Sequence, residues 1–110
     1  MARPEARVIA TIGDGSSMYA IQALYTAAVL KLKMTFVILK NGRYEALIRF
    51  GHYFGMQNVV GARFPEIDFV SVASGLGVPA LRVTTPAALE PALREAVASR
   101  GPCLVEVAIE

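Results

Sequence analysis

The sequence predicts an α/β fold: three layers, α/β/α, built on a doubly wound and mostly parallel sheet of about four strands. Three observations predict it. Four short apolar runs rich in β-branched residues, at 8–12, 34–39, 80–83 and 104–109, read as strands covered on both faces. The segments between them carry apolar residues at helical spacing, and strands alternating with helices are the pattern of βαβ units. Glycine-containing polar turns follow the first two runs, where parallel strands pass into crossovers. With 110 residues the chain suits one domain, 1–110, with one modest core.

Each element has its own signal. The run Val8-Ile9-Ala10-Thr11-Ile12 opens the sheet. Residues 17–32 then place Met18, Ile21, Leu24, Tyr25, Ala28, Val29 and Leu32 at helical spacing, with Ser16 or Ser17 as N-cap. After the strand at 34–39, residues 43–53 are helical in pattern, and Gly51 and Gly55 break them into a less regular segment through Arg63. Pro65-Glu66-Ile67-Asp68 opens a helix to about Ser74, which Gly75 and Gly77 stop. Beyond the strand at 80–83, Thr85 and Pro86 read as N-cap and first helical residue. Leu89, Leu93, Ala96 and Val97 give that helix its apolar stripe, and Pro91 predicts a slight kink. Arg100-Gly101-Pro102 closes it before the last strand, which Glu106 is expected to interrupt.

Composition excludes several classes. Hydrophobic residues make up 55% and charged residues 18%, which predicts that some apolar surface meets neighbours. No apolar run approaches the roughly 20 residues that span a bilayer, and MARPEARV lacks the layout of a signal peptide. A cytoplasmic protein without a membrane partner is expected. The net charge of +2, with arginines scattered, argues against nucleic acid. Cys103 is the one cysteine, so no disulfide or cysteine-based zinc site is expected; it reads as a small core residue. His52, the one histidine, reads as solvated or capping.

Chemistry concentrates at two turns, Gly13-Asp14-Gly15 and Lys40-Asn41-Gly42-Arg43. The 27 positions from Asp14 to Asn41 accommodate one strand end, one crossover helix and the next strand. Both residues therefore stand at carboxyl ends of strands, where doubly wound sheets bind ligands. Mg²⁺ takes oxygen donors, using one or two carboxylates and completing its octahedron with carbonyls, waters and phosphates. Asp14 would supply charge, Asn41 a neutral carbonyl and the backbone near Arg43 a third oxygen, which points to a diphosphate as the remaining ligand. Gly13 and Gly15 let the backbone approach anionic oxygens, and a helix opened by Ser16 and Ser17 would favour negative charge at its start. The same dipeptides are also common in turns that bind nothing. No Gly-x-Gly-x-x-Gly follows the first strand, so a dinucleotide site is not expected.

Four stretches, GDGSSMYAIQALYTAA, FVILKNGRYEALIRF, IDFVSVASGLGV and GPCLVEV, together resemble the C-terminal part of thiamine-diphosphate-dependent enzymes. The two turns look like the cofactor motif shared by pyruvate-decarboxylase-like and acetolactate-synthase-like members, and the run as a whole is most similar to the benzoylformate decarboxylase branch. The resemblance covers nearly the whole chain but only the last part of a much longer polypeptide. It implies thiamine diphosphate and Mg²⁺ as cofactors, with Asp14 and Asn41 as side-chain metal ligands and Arg43 as a main-chain one. It further implies that Gly13, Gly15 and Ser16 face the diphosphate, that Tyr44, Glu45 and Ala46 border the cofactor, and that Leu47 and Phe50 line a substrate pocket. No catalytic residue is carried over, because in this family a glutamate of another domain, usually on another subunit, activates the cofactor ring.

The implied function is the diphosphate-gripping segment of a 2-oxo-acid decarboxylase of the benzoylformate type, a lyase, incomplete for catalysis alone. Its partners would be the remaining domains or a second subunit of the parent enzyme. The alternatives are a segment of an acetolactate-synthase-like carboligase, and a free-standing engineered or excised α/β scaffold without activity. Two departures from the family pattern bear on this choice. Lys40 stands where many members have a second asparagine, and Lys33 where proline is common. A lysine beside Asn41 would oppose a divalent cation, and an unpaired buried lysine is disfavoured, so both are expected to face solvent. Those lysines and the abrupt start before the first strand favour the excised or engineered reading. Oligomeric state stays open: the apolar helix at 17–32 suits subunit assembly, whereas the lysines suit a monomer.

Overall fold

The expected strands all form, and every pairing between them is parallel. The computed structural model describes residues 5–110. Its elements are β1 (Val8–Gly13), α1 (Asp14–Ser17), α2 (Ala23–Val29), β2 (Met34–Lys40), α3 (Glu45–Tyr53), α4 (Phe69–Gly75), β3 (Ala80–Val83), α5 (Pro86–Ala98) and β4 (Cys103–Ala108). The sheet order is β1-β2-β4-β3. The step from β3 to β4 runs back across the sheet, so a right-handed crossover must place its helix on the opposite face from α2.

The core follows that geometry. On one face Leu24 and Ala27 of α2 and Phe69 and Ala73 of α4 pack against Phe36, Ile38 and Leu104. On the other, Ala96 and the half-buried Leu93 of α5 cover Val37, Val83, Val105 and Val107. Cys103 belongs to this second cluster, as its apolar setting suggested. Burial of Phe69 and Leu104, both at 0% exposure, contributes about 2 kcal/mol each in apolar transfer. Among the described residues no helix is long and apolar enough to cross a membrane.

Several local expectations need correction. β1 is not covered on both faces: it lies at the sheet edge with one neighbour, and Val8 and Ile9 are more than half exposed. The helix expected over 17–32 is confined to α2, Ala23–Val29, with turns at 18–22 leading into it from α1. There the amides of Tyr19, Ala20, Ala23 and Leu24 bond the carbonyls three residues back, the tighter 3₁₀ pattern. Neither Ser16 nor Ser17 caps it; Ser17 Oγ instead donates to the Asp14 carbonyl at 2.7 Å. The run at 43–53 becomes helical only from Glu45, because Arg43 pairs with Arg63 as an isolated antiparallel bridge. The helix expected from Pro65 begins at Phe69, since the Asp68 side chain accepts the Ser71 amide and sets the start there. α5 continues through Pro91, on its exposed side.

Glu106 does not interrupt β4. It pairs in register with Ile38 and Arg82 and is buried at 3% exposure. Its Oε2 accepts the Phe69 amide at 3.0 Å and its Oε1 accepts Arg82 Nε at 2.7 Å. A carboxylate with both oxygens bonded can stay inside a strand. His52 is exposed in the last turn of α3, where its carbonyl accepts the Gly55 amide.

Candidate cofactor site

The site begins with one carboxylate. Asp14 follows the end of β1 directly and is 2% exposed. Its Oδ2 accepts the amides of Asn41 at 3.0 Å and Gly42 at 2.6 Å, and its Oδ1 accepts the Gly15 amide at 2.8 Å. The parallel register that sets Gly13 opposite Leu39 brings these groups together. Asp14 forms no ion pair among the described residues. Three N–H groups solvate its charge in part, and a buried carboxylate without a counter-cation is a place where a metal ion would be stabilising.

Asn41 is fixed in the same turn: its Oδ1 accepts the Arg43 amide at 3.2 Å. Gly42 has φ +68°, and a Cβ there would lie 2.9 Å from Pro65 Cα. A strap from the 61–64 segment holds the turn from below, with Phe64 N donating to Gly42 O at 2.7 Å and Tyr44 N to Ala62 O at 2.8 Å. Gly15 lies beneath the Tyr44 ring, and a Cβ on it would come within 2.5 Å of Tyr44 Cδ1. That ring in turn packs edge-on against Phe64 at 4.8 Å. Among the described residues no three His, Cys, Asp or Glu side chains cluster. A metal here would therefore rest on the mixed set of carboxylate, amide and main-chain oxygens, which suits a hard cation.

These groups line a cleft of about 380 Å³. Gly13, Asp14, Gly15, Ser16 and Asn41 form its floor side, and Arg43, Tyr44, Glu45, Ala46 and Leu47 its other wall. Phe50 is not among the lining residues; it is 64% exposed and packs edge-on against Phe54 at 4.8 Å. The cleft also includes Tyr19, Leu39 and Ile109, which the sequence reading did not single out. Tyr19 carries a faint signal, an aromatic one turn beyond Ser16 on a segment that would otherwise face water. The helix-start contribution expected from Ser16 and Ser17 is limited to the single turn of α1.

Lys40 sits elsewhere. It lines a larger cleft of about 530 Å³ on the other side of the Asn41 turn, with Asp68, Arg82 and Glu106. It is half-buried there rather than solvent-facing, because successive strand residues point to opposite faces. Lys33 is exposed and pairs with Glu5 at 2.8 Å. In the larger cleft Arg82 already bonds both Asp68 and Glu106, so both carboxylates there have a cationic partner. The smaller cleft, with its uncompensated carboxylate, is the better candidate. On its rim Glu45 accepts from Arg49 Nε at 2.8 Å and Arg43 Nε at 2.6 Å. Those two donors hold its carboxyl below the ordinary range.

Residues 1–107 match the family described as thiamine pyrophosphate enzyme, C-terminal TPP binding domain. The chain is 43% identical to benzoylformate decarboxylase of Pseudomonas aeruginosa over 107 residues, covering 97% of this chain and 20% of that one. It is 29% identical to the acetolactate synthase isozyme 1 large subunit of Escherichia coli over 111 residues, covering 100% of this chain and 20% of that one. Among solved structures, the thiamine diphosphate-dependent 4-hydroxybenzoylformate decarboxylase of Rhodococcus jostii RHA1 superposes with a TM-score of 0.93 at 39% identity, covering 99% of this chain and 21% of that one. The chain thus spans about a fifth of the length of the relatives it matches. With that match over nearly its full length, the chain belongs to the thiamine pyrophosphate enzyme family as its C-terminal TPP binding domain.

Proposed function

We propose that this chain grips the diphosphate of thiamine diphosphate through a Mg²⁺ held by Asp14, Asn41 and the Arg43 main-chain oxygen. The parent enzyme is a 2-oxo-acid decarboxylase of the benzoylformate type. The observation that carries the reading is the buried Asp14 carboxylate, without a cationic partner among the described residues, in one cleft with Asn41. When bound, the cofactor supplies the electron sink that lets a 2-oxo acid lose CO₂ and leave as an aldehyde. The chain's own residues hold and orient it. Gly13, Gly15 and Ser16 take the diphosphate side, Tyr44, Glu45 and Ala46 form the wall beside it, and Leu47 offers apolar surface to the substrate's aryl group, with Phe50 outside the cleft.

This wall alone does not close over a reaction: among the described residues the cleft holds no histidine and no carboxylate beyond the metal ligand Asp14 and the ion-paired Glu45. The remaining domains or a second subunit of the parent enzyme complete it. The exposed apolar surface of Val8 and Ile9 on β1, and of Tyr25, Val29 and Leu30 on and just after α2, supports such neighbours. Likeness to acetolactate synthase keeps a carboligase parent as the second reading, and the greater identity to benzoylformate decarboxylase favours the first. Turnover of benzoylformate against pyruvate by the parent enzyme decides between them. For the chain itself the test is calorimetric titration with Mg²⁺ and thiamine diphosphate, with Asp14→Ala as control. Heat that vanishes in Asp14→Ala is the expected result; no heat in either protein leaves an α/β scaffold without a working site.

A further inference from the structure

Asp14, Arg43 and Glu45 are the charged side chains that line the cofactor cleft, and Arg43 is the one cation among them. Its Nε donates to Glu45 Oε2 at 2.6 Å, while Glu45 Oε1 accepts Arg49 Nε at 2.8 Å. Arg49 stands outside at 78% side-chain exposure, whereas Arg43 is two-thirds buried at 33%. The main chain of Arg43 is fixed as well, by its amide bond to Asn41 Oδ1 and its bridge to Arg63. An arginine offers five N–H donors in a planar fork matched to oxyanions. Glu45 uses one edge of that fork, and the Nη1 and Nη2 groups have no hydrogen-bond partner among the described residues.

The charge balance runs the same way. Asp14 and a divalent cation together leave one positive charge, which does not neutralise a diphosphate and a substrate carboxylate. At the rim Arg43, Glu45 and Arg49 together add one further positive charge, with Glu45 shared between the two guanidinium groups, which reduces that deficit. We propose that the Arg43 side chain, positioned by Glu45, is an oxyanion-recognition group of this cleft, taking either a phosphate oxygen of the diphosphate or the carboxylate of the 2-oxo acid. The inference rests on the proposed function and extends it from the main chain of Arg43 to its side chain. Glu45 is a positioning residue, and Arg49 keeps it in place from outside.

Two successive titrations of the full chain test this: Mg²⁺ with thiamine diphosphate, then benzoylformate into the loaded protein. The variants are Arg43→Gln, Arg43→Lys and Glu45→Gln, each checked for native circular dichroism. Arg43→Gln should weaken one of the two steps by roughly tenfold, the scale of one charge-assisted hydrogen bond. A loss in the first step assigns the phosphate, and a loss in the second the carboxylate. Arg43→Lys should recover part of the loss, and Glu45→Gln should fall between wild type and Arg43→Gln. Wild-type affinity for Arg43→Gln in every step that gives heat overturns the role of Arg43 and leaves the proposed function standing. No heat with the wild type overturns both. Should Arg43→Gln fail to fold, Glu45→Gln decides alone, and an unchanged affinity there counts against the proposal.

Discussion

The Gly42 amide donates to Asp14 Oδ2 at 2.6 Å, so the carboxylate that the metal would use also ties the end of β1 to the turn after β2. With the Asn41 and Gly15 amides, three backbone donors converge on one side chain. Asp14→Asn keeps the shape but replaces one acceptor oxygen by an NH₂ group, so one of these amides then faces a donor. We expect a loss of about 2 kcal/mol in urea unfolding, the cost of an unmet buried N–H. Mg²⁺ with thiamine diphosphate at a hundredfold excess over Kd should stabilise the wild type by about 2.7 kcal/mol. The same addition should leave the melting temperature of Asp14→Asn unmoved, and an equal shift in both proteins would remove Asp14 from the site.

Gly42 and Gly15 should separate stability from binding. At Gly42 the left-handed φ of +68° and the fixed Pro65 backbone 2.9 Å away leave a methyl group no room. Gly42→Ala should cost about 2 kcal/mol or more and weaken cofactor binding, because Asn41 moves with the turn. At Gly15 the obstacle is the Tyr44 ring, a side chain that can swing. Gly15→Ala should therefore shift the urea midpoint little while reducing thiamine diphosphate affinity in calorimetry. Matching stability losses in the two variants would contradict this.

What was legible in the sequence follows from the range of the interactions. The strands are legible because apolar β-branched runs are local: β3 occupies the expected 80–83, β1 and β2 each run one residue further, and β4 sits one residue earlier at both ends. Thr85 and Pro86 marked the start of α5 for the same reason, since a cap acts within one turn. The apolar period at 17–32 holds at the buried Leu24 and the partly buried Ile21, Ala28 and Leu32, whereas Tyr25 and Val29 on the same count are more than half exposed, because a period marks a stripe without fixing how much of it this domain covers. Tertiary pairings left no local trace. Glu106 meets Arg82 and Phe69 across 24 and 37 positions, so its charge looked like a strand breaker instead of a filled bonding site. Arg43 and Glu45 are two apart, a spacing that does not meet on a helix, and they pair because Arg43 lies before α3 begins. Charge alone puts Lys40 in solvent, whereas the alternation of β2 sends it into the larger cleft, away from Asp14.

Glu106 offers a test of structure independent of the cofactor. Its removal leaves the fully buried Phe69 amide without an acceptor, while the half-exposed Arg82 still has Asp68 and water. Glu106→Leu should lower stability by about 2 kcal/mol, and Glu106→Gln, which keeps one acceptor oxygen, by about 1 kcal/mol. Neither should change affinity for Mg²⁺ and thiamine diphosphate, since Glu106 lines the other cleft. A binding loss in Glu106→Gln with native stability would show that the two clefts are coupled.

Acid sensitivity should be traceable to Asp68. Its carboxyl is held below the ordinary value of 3.8, first by the Ser71 amide that it caps, with the Arg82 guanidinium adding to the effect and burial opposing it. A carboxyl that is more acidic in the folded state binds its proton more readily when unfolded. Its contribution is therefore present above the unfolded value of 3.8 and is lost as pH falls through the lower folded value. Glu45, lowered by Arg49 and then Arg43, has the same sign. Asp68→Asn retains an N-cap of similar quality but removes one titrating group and its attraction for Arg82. Urea stability measured from neutral pH down to about pH 2 should consequently fall less steeply for Asp68→Asn than for the wild type below about pH 4. Parallel curves would mean that Asp68 titrates alike in the folded and unfolded chain, and that the Ser71 and Arg82 contacts do not hold its charge.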